Sequence, residues 1–129
     1  MAVGEVVFVT NDTKKSCLGA HIRVADKGWD RIVGLLKRRS LDQGAGLLIV
    51  PTQAVHTFGM AFAIDLVFVD KRFKVIGVRE NMRPYRISRV FWRAFGVFEL
   101  PTGTVKDTQT AIGDQIRLTD SHTGQSITA

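Results

Sequence analysis

The chain is poor in cysteine, with Cys17 alone among 129 residues. A single thiol excludes an internal disulfide and a zinc site built from several thiolates, and it is typical of a reducing compartment. Long apolar runs are also missing, since none approaches the roughly 20 residues that a membrane-spanning helix needs. The apolar run at 6–9 is shorter than the core of a secretory signal, and no Lys or Arg precedes it. We therefore expect a cytoplasmic protein with no membrane span.

Signatures of common catalytic and cofactor sites are absent as well. Gly44 and Gly46 are not followed by the third glycine of a dinucleotide-binding turn or by the Lys-Ser/Thr pair of a phosphate-binding loop. The histidines His21, His56 and His122 are scattered, and none has a second histidine at metal-ligand spacing. No Gly-x-Ser-x-Gly nucleophile elbow is present. The sequence predicts no cofactor, no metal site and no recognised catalytic residue.

Positive charge is in excess, because 18 Lys and Arg outnumber 12 Asp and Glu and give a net charge of +6. This excess is compatible with anionic small molecules, nucleic acid or an anionic membrane surface as partners. The hydrophobic share of 45% is that of an ordinary globular chain. At this length we expect one domain over residues 1–129, with its core at about 4–119 and a flexible tail at 120–129.

Alternating apolar and polar residues predict a series of short strands with hairpin-length connections. In the central strand, Ile64, Leu66 and Phe68 are expected in the core. The segment 87–95 fits either a helix or a loop that leads into a strand. The predicted strands lie at 5–10, 18–24, 47–50, 64–69, 73–78, 97–100 and 115–118.

One main helix is expected from Asp26 to about Arg39, because Trp29, Ile32 and Leu36 recur at helical spacing after a capping aspartate. A further helical turn is possible within 102–110. The pattern predicts an α+β fold that is mainly antiparallel β, a compact sheet or partly closed barrel with one main helix.

A carboxylate within an apolar run marks the candidate site. Asp65 lies between Ile64 and Leu66, in a segment that should be buried on at least one face. Burying an unpaired carboxylate costs several kcal/mol, so Asp65 needs a partner. That partner is His56, an arginine between 79 and 93, or the backbone amides of a nearby loop. Asp65 is then either a structural residue that braces a turn or part of a ligand site.

Several short motifs, in order from about Ile22 to Leu118, resemble the uncharacterised domain-of-unknown-function family number 192. That family resemblance implies a small, mainly β domain, and it does not imply any particular activity. Thr57-Phe58-Gly59-Met60 departs from the Met-x-Asn-Thr of its commoner branch, so a side-chain amide contact of that branch does not carry over. The motifs are Gly34-Leu35-Leu36-Lys37-Arg38, His56-Thr57-Phe58-Gly59-Met60, Ile64-Asp65, Arg83-Pro84-Tyr85-Arg86, Glu99-Leu100-Pro101-Thr102-Gly103 and Gly113-Asp114.

The first functional hypothesis is a binding or accessory module with a polar cleft around His56 and Asp65. Its partner is an unidentified small anionic ligand or a protein, because polar residues within apolar strands are costly unless they are used. The alternative is a buried hydrogen-bond network that stabilises the fold. The candidate binding residues are His56, Thr57, Asp65, Arg83, Arg86 and Glu99.

The second hypothesis is nucleic-acid binding through residues 71–93, where Tyr85, Phe91 and Trp92 are interleaved with cations. The alternative is a solvated basic face whose aromatic residues belong to the core. The cations are Lys71, Arg72, Lys74, Arg79, Arg83, Arg86, Arg89 and Arg93.

The third hypothesis is an enzyme in which His56 acts as a general base and Asp65 orients it. No nucleophile accompanies this pair, and Cys17 is expected to be a buried, inert thiol. We therefore favour a binding module over an enzyme.

Overall fold

A computed structural model describes residues 2–26, 41–58 and 60–128. The helix expected between Asp26 and Arg39 lies, apart from Asp26 itself, outside the described residues. Seven strands and one short helix are described, and the predicted strands are recovered with small shifts of their ends. They are β1 (Val6–Asn11), β2 (Ser16–Ala25), β3 (Ala45–Ile49), β4 (Ile64–Val69), β5 (Val75–Met82), β6 (Gly96–Pro101), α1 (Thr104–Thr108) and β7 (Ile116–Asp120).

The seven strands form one sheet in the order β5-β4-β6-β3-β2-β1-β7. The hairpins β1–β2 and β4–β5 are antiparallel, as their short turns require. One pair is parallel: β2 runs alongside β3, with His21 opposite Ala45 and Ala25 opposite Ile49. A parallel neighbour needs a long connection, which the chain between β2 and β3 provides.

The sheet curls until its edges meet at one end. An isolated bridge joins Lys74 to Gln115. Beside it, the Val75 N–H donates to the Asp114 carbonyl at 2.8 Å, and the Ile116 N–H donates to the Phe73 carbonyl at 2.9 Å. The expectation of a mainly antiparallel, partly closed sheet is confirmed. The α+β assignment holds only loosely, because α1 is the one helix in the described part of the chain.

Apolar side chains pack on both faces of the sheet, since successive residues of a strand point to opposite sides. Every residue of β4 and β6 is buried. Ile64, Leu66 and Phe68 are fully buried on one face, as predicted, together with Val97. The opposite face carries a second cluster, whose members include Val67, Val69, Phe98, Leu100, Val105 and Leu118.

The uncertain segment after β5 is extended rather than helical, so the helical option for 87–95 is wrong. Residues 85–91 pair with 53–58 in an antiparallel arrangement that we call the ribbon. The Ser88 N–H donates to the Val55 carbonyl at 2.8 Å, and the Phe91 N–H donates to the Gln53 carbonyl at 2.9 Å. Pairing with 53–58 satisfies backbone groups that a helix would have bonded internally.

The other expectation to correct concerns Cys17, which is exposed rather than buried. It precedes the buried Leu18 in β2, and the alternation of the strand turns its side chain outward.

At the far end of the chain, residues 121–128 return along β7. There the Ile127 N–H donates to the Leu118 carbonyl at 2.8 Å, and Ser126 bridges to Thr119.

No helix in the described part of the chain has the length and apolar character to cross a membrane.

Candidate functional site

Thr57 holds together one part of the predicted site. Its side chain is fully buried, and its hydroxyl donates to the Arg83 carbonyl at 2.7 Å and accepts from the Arg86 N–H at 2.9 Å. The Tyr85 N–H donates to the Thr57 carbonyl at 3.1 Å. One threonine therefore sets the path of 83–86 through main-chain contacts. The side chains of Arg83 and Arg86 remain exposed.

Asp65 bonds to the main chain at two other places, the end of β5 and the start of α1. Its Oδ1 accepts the Asn81 N–H at 2.8 Å, and its Oδ2 accepts the Val105 N–H at 3.0 Å. The Asn81 N–H is available because the β4–β5 register shifts beside Asp65, and Asn81 has a left-handed φ of 52°. Helix α1 begins after Gly103 without a side-chain cap of its own, so the distant carboxylate supplies that acceptor. Backbone amides are thus the partners of this buried aspartate.

Glu99 lies on the other face of the sheet from Asp65. In the β4–β6 pairing, Asp65 is opposite Leu100 and Glu99 is opposite Leu66. Directly opposed residues share a face and neighbours along a strand do not, so the two carboxylates point in opposite directions. Glu99 is fully buried between its strand neighbours Leu47 and Leu66. The six predicted residues therefore do not line one cleft.

His56 belongs to the outer surface of the ribbon. It is exposed and opposes Ile87 in a β-bridge. Its ring centroid lies 5.3 Å from that of Phe58, and the Phe58 ring stacks on Tyr85 with centroids 6.4 Å apart and planes 27° apart. Phe58 is 48% exposed, and Tyr85 and Ile87 are each 65% exposed. Two rings, a histidine and an aliphatic side chain thus share one open surface.

Exposed arginines adjoin this surface along the chain. Arg83 and Arg86 flank Tyr85 in the chain, and Arg89 follows Ile87 at the same strand spacing with its guanidinium 4.9 Å from the Phe91 ring centroid. We call the ring surface together with these adjoining exposed arginines the aromatic–basic face. Its members are His56, Phe58, Arg83, Tyr85, Arg86, Ile87 and Arg89.

Sequence reasoning missed Phe58 and Ile87 as surface residues. One signal in the sequence could have placed Ile87 at the surface. Tyr85, Ile87 and Arg89 recur at every second position, which is the spacing of one face of a strand, and the intervening Ser88 is buried. Had 85–91 been interpreted as a strand, Ile87 would have been placed outward. Phe58 needed the pairing partner of that strand to be known.

The basic stretch 71–93 divides between the surface and the core. Phe91 packs against Phe68 with centroids 4.3 Å apart and belongs to the apolar cluster of that face. Tyr85 and Trp92 are instead exposed, Trp92 at 81%. The expectation that the aromatic residues belong to the core is right for Phe91 and wrong for the other two.

Two carboxylates with shifted pKa values lie near β7, away from the aromatic–basic face. Burial raises the pKa of Asp114, but hydrogen bonds from Asn11, Lys14 and the Ala111 N–H, with the Lys14 charge, outweigh it and the net shift is downward. Backbone N–H groups of Thr123 and His122 lower the pKa of Asp120. Within residues 2–26, 41–58 and 60–128, no cluster of His, Cys, Asp or Glu is suited to hold a metal ion.

Comparison with known proteins identifies the family. Residues 8–118 match DUF192, described as uncharacterized ACR. The chain belongs to this family. It is similar to the UPF0127 protein PH1112 of Pyrococcus horikoshii, with 28% identity over 115 residues that cover 85% of this chain and 97% of the relative. The family resemblance inferred from the motifs is therefore confirmed.

Two crystal structures share the fold. A protein of unknown function from Novosphingobium aromaticivorans aligns with a TM-score of 0.71 at 19% identity, over 86% of this chain and 82% of that one. A proposed transcription regulator from Sinorhizobium meliloti aligns with a TM-score of 0.71 at 22% identity, over 92% of this chain and 97% of that one. At these identities the similarity establishes the fold alone.

Proposed function

We propose that this DUF192 protein is a binding module that holds single-stranded nucleic acid on the aromatic–basic face. The observation that carries the proposal is the stacked, exposed pair Phe58–Tyr85, with an exposed arginine before and after Tyr85 in the chain. Aromatic side chains bind unpaired bases by stacking, and arginine guanidinium groups bind phosphates. The net charge of +6 favours the approach of a polyanion.

The face is extended rather than enclosed, which suits a strand better than a small ligand. Residues 85–89 span about 13 Å at the usual rise of about 3.3 Å per residue. Thr57 and Asp65 act in this proposal as positioning residues, because their hydrogen bonds hold the main chain at 81–86. Glu99 has no part in it.

The other hypotheses have less support. A cleft that joins His56 to Asp65 lacks support because Asp65 bonds to Asn81 and Val105, and Glu99 faces the other way. The same contacts leave the general-base pair of His56 and Asp65 without support. A small anionic ligand and an acidic protein are the alternative occupants of the face, and the experiment below separates the acidic protein from nucleic acid.

The test is fluorescence anisotropy of labelled oligothymidylate over a series of salt concentrations. We expect saturable binding that weakens as salt rises, since phosphate contacts release counterions. The double variant Arg83→Gln/Arg86→Gln should bind more weakly, and its slope of log affinity against log salt should be smaller by about 1.4, at about 0.7 per lost contact with a single strand.

The matched control is Arg23→Gln/Lys106→Gln, which removes the same charge from β2 and α1. It should bind almost as the unmodified protein does. Equal losses in the two double variants would mean that net charge, not the face, attracts the oligonucleotide. Competition by polyglutamate as strong as that by oligothymidylate would assign the face to an acidic protein and overturn the proposal.

A further inference from the structure

An open groove lies at the end of the ribbon, where the turn after β4 approaches residues 91–95. Its volume is about 600 Å³. Sites for small ligands commonly have volumes of about 300–1,000 Å³. The residues that line it include Gln53, Asp70, Lys71, Arg72, Trp92 and Arg93.

The groove walls are anchored to the sheet. The Phe95 N–H donates to the Val69 carbonyl at the end of β4 at 2.8 Å, and the Thr52 N–H donates to the Phe95 carbonyl at 3.1 Å. Phe91 packs on Phe68 inside the apolar cluster. Trp92 therefore sits between two anchored residues, and a ligand that binds it need not order the main chain around it.

The groove carries three cationic side chains, those of Lys71, Arg72 and Arg93, against the single carboxylate of Asp70. That carboxylate belongs to the turn, because its Oδ1 accepts the N–H groups of Arg72 at 2.9 Å and Lys74 at 3.0 Å. The local excess of positive charge favours an anion. Two guanidinium groups in one groove favour phosphate, whose oxygens match their planar donors.

Trp92 is the most exposed of the large hydrophobic side chains in the described part of the chain, at 81%. An indole left in water is unfavourable, and a planar ring stacked on it would cover that surface. A ligand that places a planar ring on Trp92 and an anionic group on the arginines must contain both, and a nucleotide, with its base and its phosphate, does.

We propose that this groove binds a nucleotide, with the base stacked on Trp92 and the phosphate held by Arg72 and Arg93. The nucleotide is either free or one unit of a strand, since the same chemistry recognises both. The inference extends the proposed function to a second site. It rests on different residues from the aromatic–basic face, so either proposal can fail alone.

The test is titration with adenosine monophosphate, followed by tryptophan fluorescence. Trp92 is one of two tryptophans in the chain. We expect saturable quenching that Trp92→Leu abolishes. The double variant Arg72→Gln/Arg93→Gln should bind about tenfold more weakly or worse, a factor that corresponds to about 1.4 kcal/mol. Both variants should keep the melting temperature, because the substituted side chains are exposed.

Arg23→Gln/Lys106→Gln is again the control for lost charge and should bind adenosine monophosphate normally. Arg83→Gln/Arg86→Gln should also bind it normally, even where that variant loses the oligonucleotide. Displacement of the mononucleotide by oligothymidylate would identify a strand as the source, and failure to displace it would identify a free nucleotide.

Three results would overturn the proposal. The first is the absence of saturable quenching. The second is quenching that persists in Trp92→Leu, which would place the ligand elsewhere. The third is inorganic phosphate that binds as tightly as adenosine monophosphate, which would make the groove an anion site with no role for the ring.

Discussion

Replacing Asp65 with asparagine tests whether this buried carboxylate stabilises the fold through its two backbone partners. The side chain is fully buried, with one oxygen on the Asn81 N–H and the other on the Val105 N–H. Asparagine keeps one oxygen that can accept a hydrogen bond, but its NH₂ group faces the other backbone N–H. Because both of these groups are donors, that N–H is left without an acceptor. An orphaned buried donor costs about 1–3 kcal/mol. Asp65→Ala orphans both donors and should cost about 2–6 kcal/mol on the same scale.

The assay is chemical and thermal unfolding of both variants. A loss of about 2 kcal/mol lowers Tm by about 6–10 °C for a domain of this length. Amide hydrogen exchange should accelerate first at Asn81 and Val105, because those two N–H groups lose their acceptor. Asp42→Asn, at an exposed carboxylate, is the matched control and should stay within about 0.5 kcal/mol of the unmodified protein.

An Asp65→Asn variant as stable as the unmodified protein would refute this reasoning. It would mean that the free-energy penalty for burying the carboxylate equals the stabilisation from its two hydrogen bonds, an outcome known for buried ionic groups. Unchanged exchange at Val105 would separately show that α1 does not depend on a cap from β4.

Three other predictions follow from particular contacts. Thr57→Val keeps the side-chain volume but removes the hydroxyl that bonds to the main chain of Arg83 and Arg86, so the free energy of unfolding should fall by about 1–3 kcal/mol and oligothymidylate should bind more weakly, as unfolding and anisotropy would reveal. Gly77→Ala puts a Cβ into the Phe91 ring and should cost about 1–3 kcal/mol in denaturant unfolding. The pKa of Asp114 is depressed, so the unfolded chain takes up its proton first as the pH falls below about 3.8. Acid should therefore lower the free energy of unfolding, and Asp114→Asn should flatten that dependence; an equally steep acid dependence in the variant would contradict it.

Much of the fold followed from local pattern. The β-branched and aromatic run of β4 predicted a buried central strand, and the short polar turns predicted the hairpins β1–β2 and β4–β5. The strand and the hairpins are formed by residues close together in the chain, so they can be predicted from the sequence alone. The DUF192 family was likewise indicated by short motifs in a fixed order, and each motif consists of residues adjacent in the chain.

Pairings between distant segments were decided only by the tertiary structure. The parallel β2–β3 pair, the bridge that brings the sheet edges together and the ribbon all join residues far apart in the chain. Nothing local in 85–91 selects 53–58 as its partner. Without that partner, Phe91 in the core could not be distinguished from Trp92 at the surface.

The candidate site shows the same division. The sequence by itself determined that Asp65 needs a partner, because a carboxylate in an apolar strand is too costly to leave unbonded. It also placed cations and aromatic residues together in 71–93. The tertiary structure decided that the partners of Asp65 are two backbone amides and that Glu99 points to the opposite face. The physical reason is that strand register sets the direction of each side chain, and register is set by pairing across the whole sheet.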